Sequence, residues 1–183
     1  MSDNLAVTAA DVAFSYGDRQ ALCGVSFVVE AGASFGFLGP NGSGKSTLFK
    51  LLSTIVPQQA GAITMLGHDL GRDPAAIRRR IGVVFQSPAV DKKLTVHENL
   101  RYAGLLLNLG GKELSARIDE ALGAAILTDR RGDAVEELSG GLRRRVEIAK
   151  CLMARPDLVL LDEASTGLDP AARREMWKVL RAQ

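Results

Sequence analysis

The chain has 183 residues, 46% of them apolar and 24% charged, with a formal net charge of +2. That is enough for one ordinary domain with a packed core. The small net charge excludes a strongly basic nucleic-acid binder, and Arg78 to Arg80, Lys92 with Lys93, and Arg143 to Arg145 read as solvated faces. The two cysteines, Cys23 and Cys151, are far apart and read as small packed hydrophobes of a reducing compartment. His68 and His97 are isolated, so no His/Cys metal centre is expected. The start, MSDNLAVTAADV, lacks the basic and apolar regions of a signal peptide. No apolar run approaches the roughly 18 residues of a membrane span. The chain is therefore expected in the cytoplasm, with any membrane role supplied by a partner.

In chain order, residues 5–30 read as two antiparallel strands joined at YGDRQ, with Val25, Phe27 and Val29 at the two-residue period of a half-buried strand. ASFGFLGP (33–40) is a short apolar run with the look of a buried parallel strand. From Gly44 to about Ser53 the pattern is helical, with Leu48, Leu51, Leu52 and Ile55 on one face. GAITMLGHDL is a strand and turn. Asp73 and Pro74 read as the N-cap and first position of a helix. IGVVF is another buried strand. From Pro88 to about Arg155 helical patterning dominates, and DLVLLDE returns to strand. The expected class is α/β: a catalytic core over about 1–86 and 156–183, with an N-terminal antiparallel β part, and an inserted helical subdomain over about 87–155.

The stretch GPNGSGKST fits G-x-x-x-x-G-K-[ST] in full, with Gly39, Gly44, Lys45 and Ser46 at the defining positions. Glycines let the backbone curl until several N–H groups point at one anion, and the following helix adds its positive end. Gly39, Pro40, Asn41, Gly42, Ser43, Gly44, Lys45, Ser46 and Thr47 are thus expected to bind a nucleotide. Lys45 is expected to reach the β- and γ-phosphates, and the Ser46 hydroxyl to bind Mg²⁺. A glycine turn that binds nothing would not need an apolar run before it and an amphipathic helix after it.

The run LVLLDE reads as a strand buried on both faces that delivers Asp162 to the carboxyl edge of a sheet. Asp162 is expected to hold Mg²⁺, and Glu163 to act as general base on a water in line with the γ-phosphate. In ELSGGLRRRVEIAK, Ser139, Gly140 and Gly141 open a helix whose buried face is Leu142, Val146, Ala149 and Met153. Bare N–H groups and a hydroxyl there make either a second phosphate-binding surface or a plain helix cap.

LSGG, a basic helix and an apolar strand ending in Asp-Glu together resemble the signature of the ATP-binding cassette (ABC) family. The resemblance covers the whole chain and carries further implications. Gln86, after IGVVF, matches the glutamine that links Mg²⁺ and the attacking water to a transmembrane partner. Asp169 in STGLDP matches a residue that crosses a dimer interface. Tyr16 in FSYGDRQAL matches an aromatic residue set against adenine, where a ring stacks on the base; a buried turn tyrosine is the alternative. The resemblance implies an ATPase using ATP and Mg²⁺, with Glu163, Lys45 and Gln86 as catalytic residues and Ser46, Gln86 and Asp162 around the metal. It implies a head-to-tail dimer with a second ATPase subunit, a copy or a paralogue. In it Ser139–Gly141 of one subunit cover the ATP of the other. It also implies a separate membrane permease, no nucleic acid, and a place on the inner face of the membrane.

Two departures stand out: Leu142 replaces the usual glutamine after LSGG, and Ala164-Ser165 replace Pro-Thr after the acids. Several stretches look most like bacterial exporters of the drug-resistance or sodium-extrusion type. The family continues with further core strands and a histidine that contacts the γ-phosphate, and no histidine follows His97. On that resemblance the chain stops short of the switch histidine and of the last core strands, and is expected to bind ATP weakly and hydrolyse it poorly. A nucleotide binder without transport activity and a non-transport ABC clamp are the rival readings.

Overall fold

The computed structural model describes residues 4–87, 89–164 and 168–181. Pro88, Ala182, Gln183 and the Ser165–Gly167 part of STGLDP, including the departure at Ser165, lie outside the described residues. The chain divides into two units, Met1–Ile81 with Asp157–Leu160, and Gly82–Pro156 with Leu161–Gln183.

The first unit is built on a four-stranded sheet of order β2-β1-β3-β4. Strands β1 (Leu5–Tyr16) and β2 (Arg19–Glu30) form the expected antiparallel hairpin, closed by a turn between Tyr16 and Arg19. On β2, Val29 is buried and Val25 and Phe27 are half-buried, while their neighbours Ser26 and Val28 are exposed, as the two-residue period requires. Strand β3 (Ala60–Met65) pairs with β1, and the Leu66-Gly67 turn returns the chain as β4 (His68–Asp69). Both turn residues have positive φ, the geometry that suits the twist of a two-residue hairpin. Val12, Phe14, Leu22, Ile63 and Met65 supply the sheet's share of the core.

Helix α1 (Lys45–Leu52) buries Leu48, Leu51 and Leu52. Ile55, expected on the same face, lies beyond the helix end and is exposed, because the chain turns at Thr54 with positive φ. Helix α2 (Pro74–Arg78) starts at Asp73 as expected, but the Asp73 side chain makes no cap bond. Its turn is held instead by Asp69, whose Oδ1 accepts from Arg72 N at 2.9 Å and whose carbonyl accepts from Asp73 N at 2.8 Å.

The expected buried strand at 33–40 is not formed. Residues 33–40 run as irregular chain, Phe35 and Phe37 are exposed, and Leu38 is 98% exposed. A buried parallel strand exists only through ladder partners on its flanks, and none among the described residues pairs with this run. Its aromatic rings pack on one another and on β2 instead: Phe37 stands edge-on to Phe35 at 5.1 Å, and Phe35 stacks on Phe27 of β2 at 5.8 Å.

Strands β5 (Ile81–Val84) and β6 (Leu158–Leu161) form a second, two-stranded sheet. Arg80 O accepts from Asp157 N at 2.8 Å, and Val84 O accepts from Asp162 N at 2.9 Å, so the strands advance in the same direction. All four residues of β6 are only half-buried, not covered on both faces as expected. With β5 as its one described neighbour, β6 keeps an open side.

The second unit is helical, as the pattern after Gln86 predicts. It contains α3 (Val96–Leu106), α4 (Gly111–Ala124), α5 (Gly140–Leu152) and α6 (Pro170–Arg181). Leu100, Ile118, Leu122, Val146, Ala149 and Met153 share one core among α3, α4 and α5. Another side of α5 buries Ile148 and Leu152 with Val84, Met176 and Val179. Helix α5 is thus covered on two sides, more than its single expected stripe. That corrects the reading of Arg143 to Arg145 as a solvated face: Arg144 is 7% exposed. Cys23 also departs from expectation, being exposed on β2, an outer strand of its sheet.

Candidate functional site

Within the first unit the residues between Gly39 and Lys45 curl into a closed loop. Gly42 and Gly44 have φ of +83° and +90°, a region that side chains disfavour. Gly44 is also sterically required: a Cβ there would lie 2.5 Å from Ala21 O and 2.8 Å from Leu22 Cδ2. That contact seats the loop against the β1–β2 hairpin, whose turn carries Tyr16. Lys45 folds back over the loop, with Nζ donating to Gly39 O at 2.7 Å and Pro40 O at 2.8 Å. Gly44 O accepts from Leu48 N at 2.9 Å, which starts α1 directly after the loop. Asn41, Ser43 and Ser46 are exposed, while Thr47 is buried. The Tyr16 ring is 46% exposed and edge-on to Phe14 at 4.9 Å, so it is not the buried turn residue of the alternative reading.

Within the second unit Gln86 and Glu163, 77 positions apart, are joined: Gln86 Nε2 donates to Glu163 Oε2 at 3.0 Å. Asp162, half-buried, is placed by its backbone bond to Val84. Glu163 has φ +45°, a left-handed conformation that costs a non-glycine residue about 1–3 kcal/mol. Among the described residues no group of three or more His, Cys, Asp or Glu converges. A carboxylate oxygen such as that of Asp162 suits a hard ion that takes one or two protein ligands and completes its shell with water and phosphate oxygens.

Ser139 caps α5, its hydroxyl accepting from Leu142 N at 3.3 Å. Gly141 approaches α6 closely; a Cβ there would lie 2.7 Å from Ala172 Cβ. Asp169 caps α6 beside it, with Oδ1 accepting from Ala171 N and Ala172 N, both at 2.9 Å. The starts of α5 and α6 therefore lie side by side, bringing Ser139–Gly141 and Asp169 together. The curled loop and the acid pair belong to different units.

The sequence reading missed Arg144 and Glu147. Both are 7% exposed and paired at 2.5 Å, and both bond the backbone around Gln86. Arg144 shares a helix face with Ile148, four residues on, but that spacing alone does not separate a buried arginine from a solvated one. One turn further, Lys150 donates to Ala89 O, and burial lowers its pKa against the opposing pull of Glu147 and Asp91.

A family model described as ABC transporter matches residues 22–166. The chain is 42% identical over 177 residues to a daunorubicin resistance ATP-binding protein of Streptomyces coeruleorubidus, covering 97% of this chain and 56% of that protein. It is 41% identical over 178 residues to Nod factor export ATP-binding protein I of Rhizobium meliloti, covering 97% of this chain and 53% of that protein. The chain thus spans about half the length of these curated relatives. Among solved structures it is similar to cbiO1 of Clostridium perfringens, part of the ABC transporter complex cbiONQ. The TM-score there is 0.90 and the identity 28%, over 98% of this chain and 74% of that one.

Proposed function

This chain belongs to the ABC transporter family, and we propose that it is the ATP-hydrolysing part of an exporter. Its fold is that of ABC ATPase phosphate-loop domains. The observation that carries the catalytic reading is the bond between Gln86 and Glu163, two groups remote in sequence and each suited to handling the attacking water. The resistance and export roles in the relatives' names support the exporter reading.

ATP enters at the curled loop. Phosphate oxygens are charged acceptors and bond an ammonium more strongly than neutral carbonyls. Lys45 therefore exchanges Gly39 O and Pro40 O for the β- and γ-phosphates. The loop N–H groups and the start of α1 add positive potential. The exposed Tyr16 ring offers a face to adenine. Within the second unit Asp162 and Gln86 would hold Mg²⁺, which when bound offsets charge on the β- and γ-phosphates.

Gln86 fixes one oxygen of Glu163 and so sets the plane of the carboxylate. Glu163 takes a proton from water as the water oxygen bonds to the γ-phosphorus. The bond from that phosphorus to the β–γ bridging oxygen breaks, and ADP departs. Ser139–Gly141, with Asp169 beside them, would cover the phosphates bound by a second ATPase subunit. Among the described residues no helix is long and apolar enough to cross a membrane. We assign the transport path to a separate permease, and this chain to the cytoplasmic face beneath it. We further assign residues of about 1–86 and 156–183 to the catalytic core and about 87–155 to a helical signature subdomain, a reading supported by the common core of α3, α4 and α5.

The test is ATP turnover by the intact protein. Lys45→Ala is expected to lose nucleotide binding. Glu163→Gln is expected to bind ATP yet hydrolyse it about 10²- to 10⁴-fold more slowly, the usual contribution of a positioned base. Wild-type turnover by Glu163→Gln would overturn the assignment.

A further inference from the structure

Building on the proposed roles of Gln86 and Glu163, we propose that Arg144 and Glu147 of α5 are positioning residues that clamp the backbone at Phe85, Gln86 and Ala89 so that Gln86 reaches Glu163. Arg144 Nη1 donates to Phe85 O at 2.7 Å, and its Nη2 donates to Gln86 O at 3.3 Å. The same guanidinium pairs with Glu147 Oε2, and Glu147 Oε1 accepts from Ala89 N at 2.7 Å. Lys150 then donates to Ala89 O. Positions 144, 147 and 150 recur at three-residue steps, so one face of α5 grips peptide groups on both sides of the segment. The Gln86 backbone is thereby anchored at its carbonyl while its side chain bonds Glu163 at 3.0 Å.

Stability alone is a poor account of this arrangement. A buried ion pair generally contributes no more than well-packed apolar residues of the same volume. An apolar pair, however, could bond neither the carbonyls of Phe85 and Gln86 nor the N–H of Ala89. The planar fork of arginine suits two adjacent carbonyls, which a lysine ammonium would not span in the same way. The clamp also ties Gln86 to the helix that Ser139 caps, so the groups at the start of α5 and the glutamine share one support.

The experiment is a double-mutant cycle on ATP hydrolysis by the intact protein, with Arg144→Ala and Gln86→Ala alone and combined. Arg144→Ala is expected to lower kcat about 10- to 100-fold, the usual effect of a misplaced catalytic group, with KM for ATP changed less than about twofold. In the Gln86→Ala background the same substitution should cost less than about twofold more, because the group it positions is gone. Equal losses in both backgrounds, or no loss in the first, would overturn the clamp. If Gln86→Ala by itself leaves turnover unchanged, the catalytic reading of Gln86 falls first, and the clamp with it.

Arg144→Ala leaves Glu147 buried without its partner, so folding is checked by thermal melting. If it does not fold, Arg144→Met with Glu147→Leu removes both charges together and enters the same cycle. Hydrogen exchange on the unaltered protein gives an independent reading. The Ala89 amide, which donates to Glu147, should exchange slowly, and exchange at the rate of an open loop would overturn the clamp.

Discussion

Asp169 carries a consequence that its exposed position hides. The N–H of Ala172, and next that of Ala171, hold its carboxyl below the ordinary value of 3.8. A carboxylate whose folded pKa is depressed adds stability above its unfolded pKa and loses it as pH falls through the lower, folded one. The contribution to the start of α6 is therefore whole at neutral pH and disappears below pH 3.8. Asp169→Asn keeps an acceptor but removes the negative charge from the helix N-terminus. Its melting temperature should lie below that of the unaltered protein at neutral pH, and the gap should close in acid. A gap that persists unchanged through strongly acid pH would sever the link. At this scale the sequence was largely legible. Gly44, Lys45, Ser139 and Asp169 all sit in turns and caps specified by neighbours a few residues away. Arg144 was not, because its burial depends on contacts with Phe85 and Gln86, 59 and 58 positions distant.

At the scale of elements, α3 shows how local chemistry sets a helix start. The Thr95 hydroxyl accepts from Glu98 N at 3.1 Å, and Glu98 Oε2 accepts from Thr95 N at 2.8 Å, a reciprocal capping box. Thr95→Ala should cost about 1 kcal/mol, the typical loss for such a cap, measured by chemical denaturation. A stability unchanged within error would mean that the box adds nothing. The helices α3, α4 and α5 were readable because each carries a strong 3.6-residue apolar pattern. The run at 33–40 shows the opposite case. Phe35, Phe37 and Leu38 have the composition of a buried strand, but a strand also needs neighbours, and composition says nothing of whether they are in place. The half-burial of β6 has the same cause.

Over the whole molecule the two cysteines divide by environment. Cys23 is exposed, whereas Cys151 is largely buried and its thiol is pushed up to about 12 by burial. The reactive species is the thiolate, so a water-soluble thiol reagent at neutral pH should label Cys23 quickly. Cys151 should react only when the unit that holds it opens. The expected result is one labelled thiol in the native protein and two after unfolding. Two fast thiols under native conditions would contradict the packing of Cys151 beneath β5.

The sequence by itself determined the curled glycine loop before α1, the acid pair after β6, the cap of α5 and the order of helices. Each rests on residue types at short, fixed spacings, where backbone geometry leaves few choices. The tertiary structure alone decided that Gln86 meets Glu163, that Arg144 and Glu147 are buried around the glutamine segment, and that Gly141 abuts α6. Those arrangements depend on residues tens of positions apart coming into contact, and such contacts follow from how the helices and strands share their cores, not from any local spacing.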